Sequence, residues 1–173
     1  SAAGTASPLP APEDPLAKGL VDQLQARGDV VFGPCAAAAR LEGSKSFAKA
    51  FMDRYHIPTA DHATFDVFEE AVRYVRAQGA PIVIKADGLA AGKGVIIAHT
   101  NDEAIEATKE IYAGQFGDSG NKVVIEAFLD GIEFSVFVIT NGFEYQILPV
   151  AKDYKKIFEG DMGPNTGGMG AIS

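Results

Sequence analysis

The sequence has no tryptophan, a single cysteine, three histidines and no excess of basic residues, with 15 Lys and Arg against 23 Asp and Glu. A formal net charge of −8 excludes the broad basic surface that contact with a nucleic-acid backbone demands. Any anionic small molecule must therefore meet a local basic exception. Cys35 has no partner for an internal disulfide and no His or Cys neighbours in its alanine-rich stretch, so it reads as structural. His56, His62 and His99 are scattered and read the same way, and no Ser-His-Asp or Cys-His arrangement suggests covalent catalysis. No apolar run approaches a membrane span and no segment has the layout of a secretory leader, which predicts a cytoplasmic setting without membrane contact.

What is present suits a folded domain: 47% of residues are apolar and 22% charged. Residues 1–12 are small, Pro-rich and aperiodic, which predicts a flexible arm or an expression remnant. Apolar spacing predicts a helix from Pro15 to Arg27 capped by Gly28, a short strand over Val30–Phe32, and a long helix from Cys35 to Tyr55 with a break near Gly43. A strand at Thr64–Phe65 is followed by a helix with Asp66 as its N-cap and Gly79 at its end. Pro81–Lys85 and Val95–His99 read as strands joined by the glycine-rich run Asp87–Gly94, making a hairpin. Asp102 opens a helix reaching Ala113, and Lys122–Glu126 is a further buried strand. Phe134–Thr140 and Tyr145–Ala151 pair across the Asn141-Gly142 turn, a strong hairpin signal. These elements predict an α+β fold, with mainly antiparallel sheets and flanking helices in two small lobes.

Two segments carry chemistry. In Ile82-Val83-Ile84-Lys85-Ala86-Asp87-Gly88-Leu89-Ala90-Ala91-Gly92-Lys93-Gly94, one lysine ends an apolar strand and a second sits in a glycine loop. Glycines let backbone N–H groups approach anionic oxygens, and a lysine held by a strand is a fixed positive charge. At about 4 Å and an effective dielectric near 20, such a charge pair is worth about 4 kcal/mol before desolvation. The spacing is not that of a Walker loop, and the loop leads into a strand, unlike a dinucleotide fingerprint. Alone, the segment could equally be a solvated hairpin with two surface lysines. Downstream, Glu126 ends another buried strand and Glu133 follows, beside apolar walls and free backbone that suit an adenine and a ribose. Taken singly, the two glutamates could be ordinary strand-edge carboxylates.

Together with Gly33-Pro34, Leu41-Glu42-Gly43-Ser44-Lys45-Ser46-Phe47, Ile57-Pro58-Thr59-Ala60 and Gly163-Pro164-Asn165-Thr166-Gly167-Gly168-Met169-Gly170, these segments resemble the ATP-grasp superfamily. Within it they are most similar to the phosphoribosylamine-glycine ligases. The resemblance runs from about Pro12 to the C-terminus, and the Lys85 loop and the terminal glycine-rich run are its specific parts. It implies ATP-dependent formation of an amide between glycine and 5-phosphoribosylamine through glycyl phosphate, giving glycinamide ribonucleotide, a step of purine biosynthesis. It further implies that Lys45 and Lys85 contact ATP phosphates under a lid that includes Gly88, Gly92, Lys93 and Gly94. Glu126 would hold the adenine amino group, the backbone of Ala127 to Leu129 its edge, and Glu133 the ribose. Asp153, Lys155 and the loop containing Asn165 and Gly168 would face the acyl phosphate and the amine, with Lys155, Asn165 and Gly168 as the catalytic set.

The resemblance divides the chain into the end of an N-terminal domain (13–34), a helical part of the first lobe (35–60), a lid lobe (61–130) and the start of a second lobe (131–173). At 173 residues the chain is short for a complete three-substrate ligase. The expectation is an incomplete ATP-grasp core, inactive alone, with the Mg²⁺ ligands beyond Ser173 and possible fusion of the parent to other purine-pathway domains. Ile132 and Tyr154 depart from the family, whose members often carry an acidic residue and a histidine there. The Lys85 loop by itself also fits other ATP-grasp ligases or carboxylases, and a non-catalytic nucleotide-binding module is the alternative outside enzymes.

Overall fold

The computed structural model describes residues 13–89, 94–114, 122–160 and 162–173. Gly92 and Lys93 of the expected lid and the N-terminal arm lie outside the described residues. The chain divides into two compact units, the first reaching residue 128 and the second continuing to residue 173.

In the first unit, the helix expected over Pro15–Arg27 is two short ones, α1 (Glu13–Ala17) and α2 (Leu20–Ala26). The break is at Gly19, whose φ of 79° is left-handed and interrupts the helical ladder. The strand expected over Val30–Phe32 does not form: Val30 and Phe32 are exposed, and without a ladder partner three apolar residues have nothing to hold them extended. The long helix splits into α3 (Ala36–Gly43) and α4 (Lys45–Arg54) at Ser44. There the backbone turns extended, and the Ser44 hydroxyl accepts from Phe47 N–H as the N-cap of α4.

A four-stranded antiparallel sheet follows in the order β1 (His62–Phe65), β4 (Val123–Ala127), β2 (Ile82–Ala86), β3 (Val95–Ala98). Helices α5 (Phe68–Gln78) and α6 (Asn101–Tyr112) pack on it. Asp66 does not cap α5: Val67 holds the N-cap position without a side-chain bond, and Asp66 pairs with Lys122 at 3.4 Å. The cap of α6 is Thr100, which accepts from Glu103 N–H, so the helix begins one residue before Asp102.

Strand alternation decides which residues reach the core. Ile82, Ile84 and Ala86 of β2 and Val123 and Ile125 of β4 join Ala71 and Val75 of α5 and Ala104, Ala107 and Ile111 of α6 in one buried cluster. Because strand side chains alternate, Lys85 and Glu126 fall on the opposite face of the sheet. The polar pair is thus displayed by the same strands that build the core.

In the second unit, the expected hairpin is shorter than its pattern: β5 (Val138–Thr140) pairs with β6 (Tyr145–Ile147), and Ser135 and Ala151 add an isolated bridge. The turn forms as expected, with Asn141 Oδ1 accepting from Phe143 and Glu144 N–H. The glycine-rich run expected as a loop is instead strand β8 (Met162–Ile172), paired with β7 (Lys152–Phe158) through two irregularities in register. Glycine is depleted in strands, which hid this element, and the irregular pairing accommodates it. No described residue of this unit is buried. Among the described residues no helix is long and apolar enough to cross a membrane.

Candidate functional site

The first unit brings together residues from α4, β2, β4 and the start of the glycine-rich loop. Glu126 stands opposite Val83 in the β2–β4 ladder, so its side chain meets that of Lys85 two residues on, a diagonal cross-strand pair. Lys85 Nζ lies 2.8 Å from Glu126 Oε1, and Lys49 Nζ of α4 lies 3.1 Å from Oε2. Lys49 also donates to Thr59 Oγ1 at 2.6 Å. Side-chain exposure separates the two cations: 24% for Lys85 against 9% for Lys49, with Glu126 also at 9%. Burial pushes the Glu126 carboxyl up, but hydrogen bonds and charge from Lys85 and then Lys49 outweigh it and hold it below the usual carboxylate range.

Lys45 opens the same helix. Its Nζ donates to Gly88 O at 2.9 Å, and its backbone N–H donates to Asp87 O at 3.0 Å. Desolvation by burial, with the nearby Lys85 charge acting in the same direction, holds its ammonium below the usual lysine value against the pull of Asp87. Asp87 fastens the loop to the helix start. Its carboxylate accepts from Ser46 N–H at 2.6 Å, Ser46 Oγ at 2.9 Å and Ser44 Oγ at 3.2 Å. At the other end of the hairpin, Gly94 O accepts from Ala86 N–H at 2.8 Å. Lys45 thus reaches Gly88 at the start of the loop, close enough to Lys85 for its charge to act on it. The Ala127 N–H, expected to face a base, is engaged by Asp61 O at 2.8 Å.

The second unit pairs two residues that the resemblance gave to different substrates. Lys155 Nζ lies 2.7 Å from Glu133 Oε1 and 3.3 Å from Asp153 Oδ2. The hydrogen bond to Glu133 is the main cause that raises the Lys155 ammonium above its usual value. Thr166 of β8 donates to Lys155 O at 2.9 Å and accepts from Gly168 N–H at 3.1 Å, holding the glycine run against β7. Asn165 pairs by its backbone with Lys156, Leu129 is exposed, and Gly168 has a φ of 130° that favours glycine.

The Phosphoribosylglycinamide synthetase, ATP-grasp (A) domain family matches residues 43–173. The chain belongs to that ATP-grasp family. A phosphoribosylamine–glycine ligase of Streptococcus pyogenes serotype M6 is 56% identical over 163 residues, covering 94% of this chain and 39% of that protein. The chain thus spans about two fifths of the curated relatives it matches. The crystal structure of the phosphoribosylamine–glycine ligase from Thermotoga maritima superposes with a TM-score of 0.75 at 46% identity, over 82% of this chain and 36% of that one. The biotin carboxylase domain of Hydrogenobacter thermophilus 2-oxoglutarate carboxylase shares the fold alone, with a TM-score of 0.66 at 21% identity over 88% of this chain and 35% of that one. That structure was solved with MgADP.

For an ATP-grasp family member, the residues that sequence reasoning missed are Lys49, Asp87, Ser44, Ser46 and Thr59. Lys49 had a signal: it lies four residues after Lys45, on the same helix face. Asp87 had one too, as the first polar residue after a buried strand and before a glycine. An open cavity of about 670 Å³ lined by residues 52–53 and 56–62 with Tyr74 and Gln78 contains none of the site lysines. Its lining includes Thr59, which bonds Lys49, and His62, which stands opposite Glu126 in the β1–β4 ladder. Among the described residues no group of three or more His, Cys, Asp or Glu side chains could hold a metal.

Proposed function

We propose that this chain is the nucleotide-binding part of an ATP-dependent, cytoplasmic ligase that joins glycine to 5-phosphoribosylamine. The carboxylate oxygen of glycine attacks the γ-phosphorus and ADP leaves. The amine of phosphoribosylamine then attacks the acyl carbon, losing a proton as phosphate departs and glycinamide ribonucleotide forms. No covalent bond to the protein is needed, so the residues act by position and charge.

The observation that carries the reading is the gathering of Lys45 and Lys85 at the root of the glycine-rich hairpin of an otherwise acidic chain. Their ammonium groups would neutralise the phosphates, and the Asp87 clamp fixes one lysine relative to the other. We assign Glu126 to the adenine side, Glu133 to the ribose hydroxyls, and Lys155 with the Asn165–Gly168 segment to the transferred group. Among the described residues no group of three or more candidate metal ligands gathers, and no step is routed through a magnesium ion.

Calorimetric titration of ADP into the chain tests the binding half, with Lys45→Ala and Lys85→Ala as controls. Saturable binding weakened by both substitutions supports the reading; binding indifferent to both, with the fold intact, overturns the site. The reaction is tested in the full-length protein by assaying ADP and the amide product from glycine, ATP, Mg²⁺ and fresh phosphoribosylamine. Activity with another amine acceptor in place of phosphoribosylamine would reassign the substrate.

A further inference from the structure

We propose that Lys49 is a positioning residue that holds Glu126 from the buried side, so that Lys85 keeps a net positive field for a polyphosphate. The proposal rests on the nucleotide-binding reading above and adds to it a residue without a role of its own toward the nucleotide.

The arrangement poses an electrostatic problem. Lys85 is expected to attract phosphates, yet it is already paired with Glu126 at 2.8 Å. A lone pair of that kind is neutral overall, and an incoming anion would meet a dipole whose negative end competes with it. Lys49 changes the balance by taking the other carboxylate oxygen at 3.1 Å. Two ammonium groups then face one carboxylate, and the cluster carries one net positive charge. Lys85 is its more exposed cation, so the surplus is available from that side.

Lys49 is itself held in place. Its Nζ donates to Thr59 Oγ1 at 2.6 Å, and a buried ammonium is tolerated only when paired and hydrogen-bonded in this way. Its backbone is fixed by α4, the helix whose first residue, Lys45, reaches Gly88 O. The competing explanation is that Lys49 merely ties α4 to β4. The two differ in what they predict for the phosphate-dependent part of binding.

The experiment compares ADP with adenosine by calorimetry, without added magnesium, for the unsubstituted chain, Lys49→Met and the double variant Lys49→Met/Glu126→Gln. In Lys49→Met the remaining carboxylate fully offsets Lys85, and the preference for ADP over adenosine should fall about tenfold, which corresponds to about 1.4 kcal/mol. In the double variant Lys85 stands uncompensated, and the preference should return, although the tie between α4 and β4 is still missing. An unchanged preference in Lys49→Met overturns the proposal, as does a loss that the double variant does not recover. If Lys49→Met alone does not fold, the double variant decides: ADP preference near that of the unsubstituted chain supports the proposal and its loss overturns it. If the unsubstituted chain binds ADP no better than adenosine, the nucleotide reading itself fails and this proposal falls with it.

Discussion

Lys85 and Glu126 meet at 2.8 Å because antiparallel register sets Glu126 opposite Val83, two residues from Lys85 on the same face of the sheet. The lysine is therefore held by a strand below it and a carboxylate beside it. Holding it in this way removes much of the rotamer freedom that a flexible lysine would lose on binding a phosphate.

Lys85→Ala should weaken ADP binding by roughly 1.5–3 kcal/mol, the range for a hydrogen bond to a charged group, or about tenfold or more in Kd. Calorimetry on the folded variant measures it. An unchanged Kd would remove Lys85 from the phosphate site.

The pair also sets an acid limit on stability. Glu126 is held below the ordinary carboxylate value of 4.5, and a carboxyl depressed in the folded state contributes stability that is present above its unfolded value. That contribution is lost as pH falls through the folded value. Unfolding free energy should accordingly decline below pH 4.5, and Glu126→Gln should flatten part of that decline. Urea unfolding at a series of acidic pH values gives both slopes; parallel curves would mean that the carboxylate is not stabilised by its lysines.

Asp87→Ala should destabilise the chain by roughly 1–3 kcal/mol, since Ser46 N–H and two hydroxyls lose a charged acceptor at the start of α4. It should also weaken ADP binding, because the carboxylate ties Ser44 and Ser46, the residues flanking Lys45, to the loop. A loss of stability with full ADP affinity would confine Asp87 to capping.

The strands of the core sheet were legible because Ile82-Val83-Ile84 and Val123-Val124-Ile125 are short buried runs bounded by turn residues, and the glycine-rich hairpin between β2 and β3 follows from them. The lysine at a strand end was readable for the same reason. For Lys49 the sequence offered only its place one turn after Lys45, since a lysine in a helix is ordinarily solvated and only the β4 carboxylate below it gives a reason for burial. Helix starts were misplaced where a hydroxyl elsewhere won the cap, as at Ser44 and Thr100. The glycine-rich β8 escaped because its pairing with β7 is a long-range fact that no local propensity carries.

The contact between Glu133 and Lys155 gives the proposed ribose role of Glu133 a test of its own. Glu133 is exposed, and its carboxylate oxygens can accept from ribose hydroxyls while Lys155 keeps them in place at 2.7 Å. Two consequences separate this from an idle surface pair. Lys155 is raised above its ordinary 10.5 chiefly by its hydrogen bond to Glu133, so Glu133→Gln should lower its titration point. A lysine raised in the folded state contributes stability present below its unfolded value and lost as pH rises through the folded one. The same substitution should therefore remove part of the alkaline loss of stability above pH 10.5. Glu133→Gln should also reduce discrimination between ADP and 2′-deoxy-ADP by about fivefold, one charge-assisted hydrogen bond being replaced by a neutral one. Nuclear magnetic resonance of the lysine side chains reads the titration, and calorimetry with the two nucleotides reads the discrimination. A lowered Lys155 with unchanged discrimination would leave the ion pair standing and take the ribose role away from Glu133.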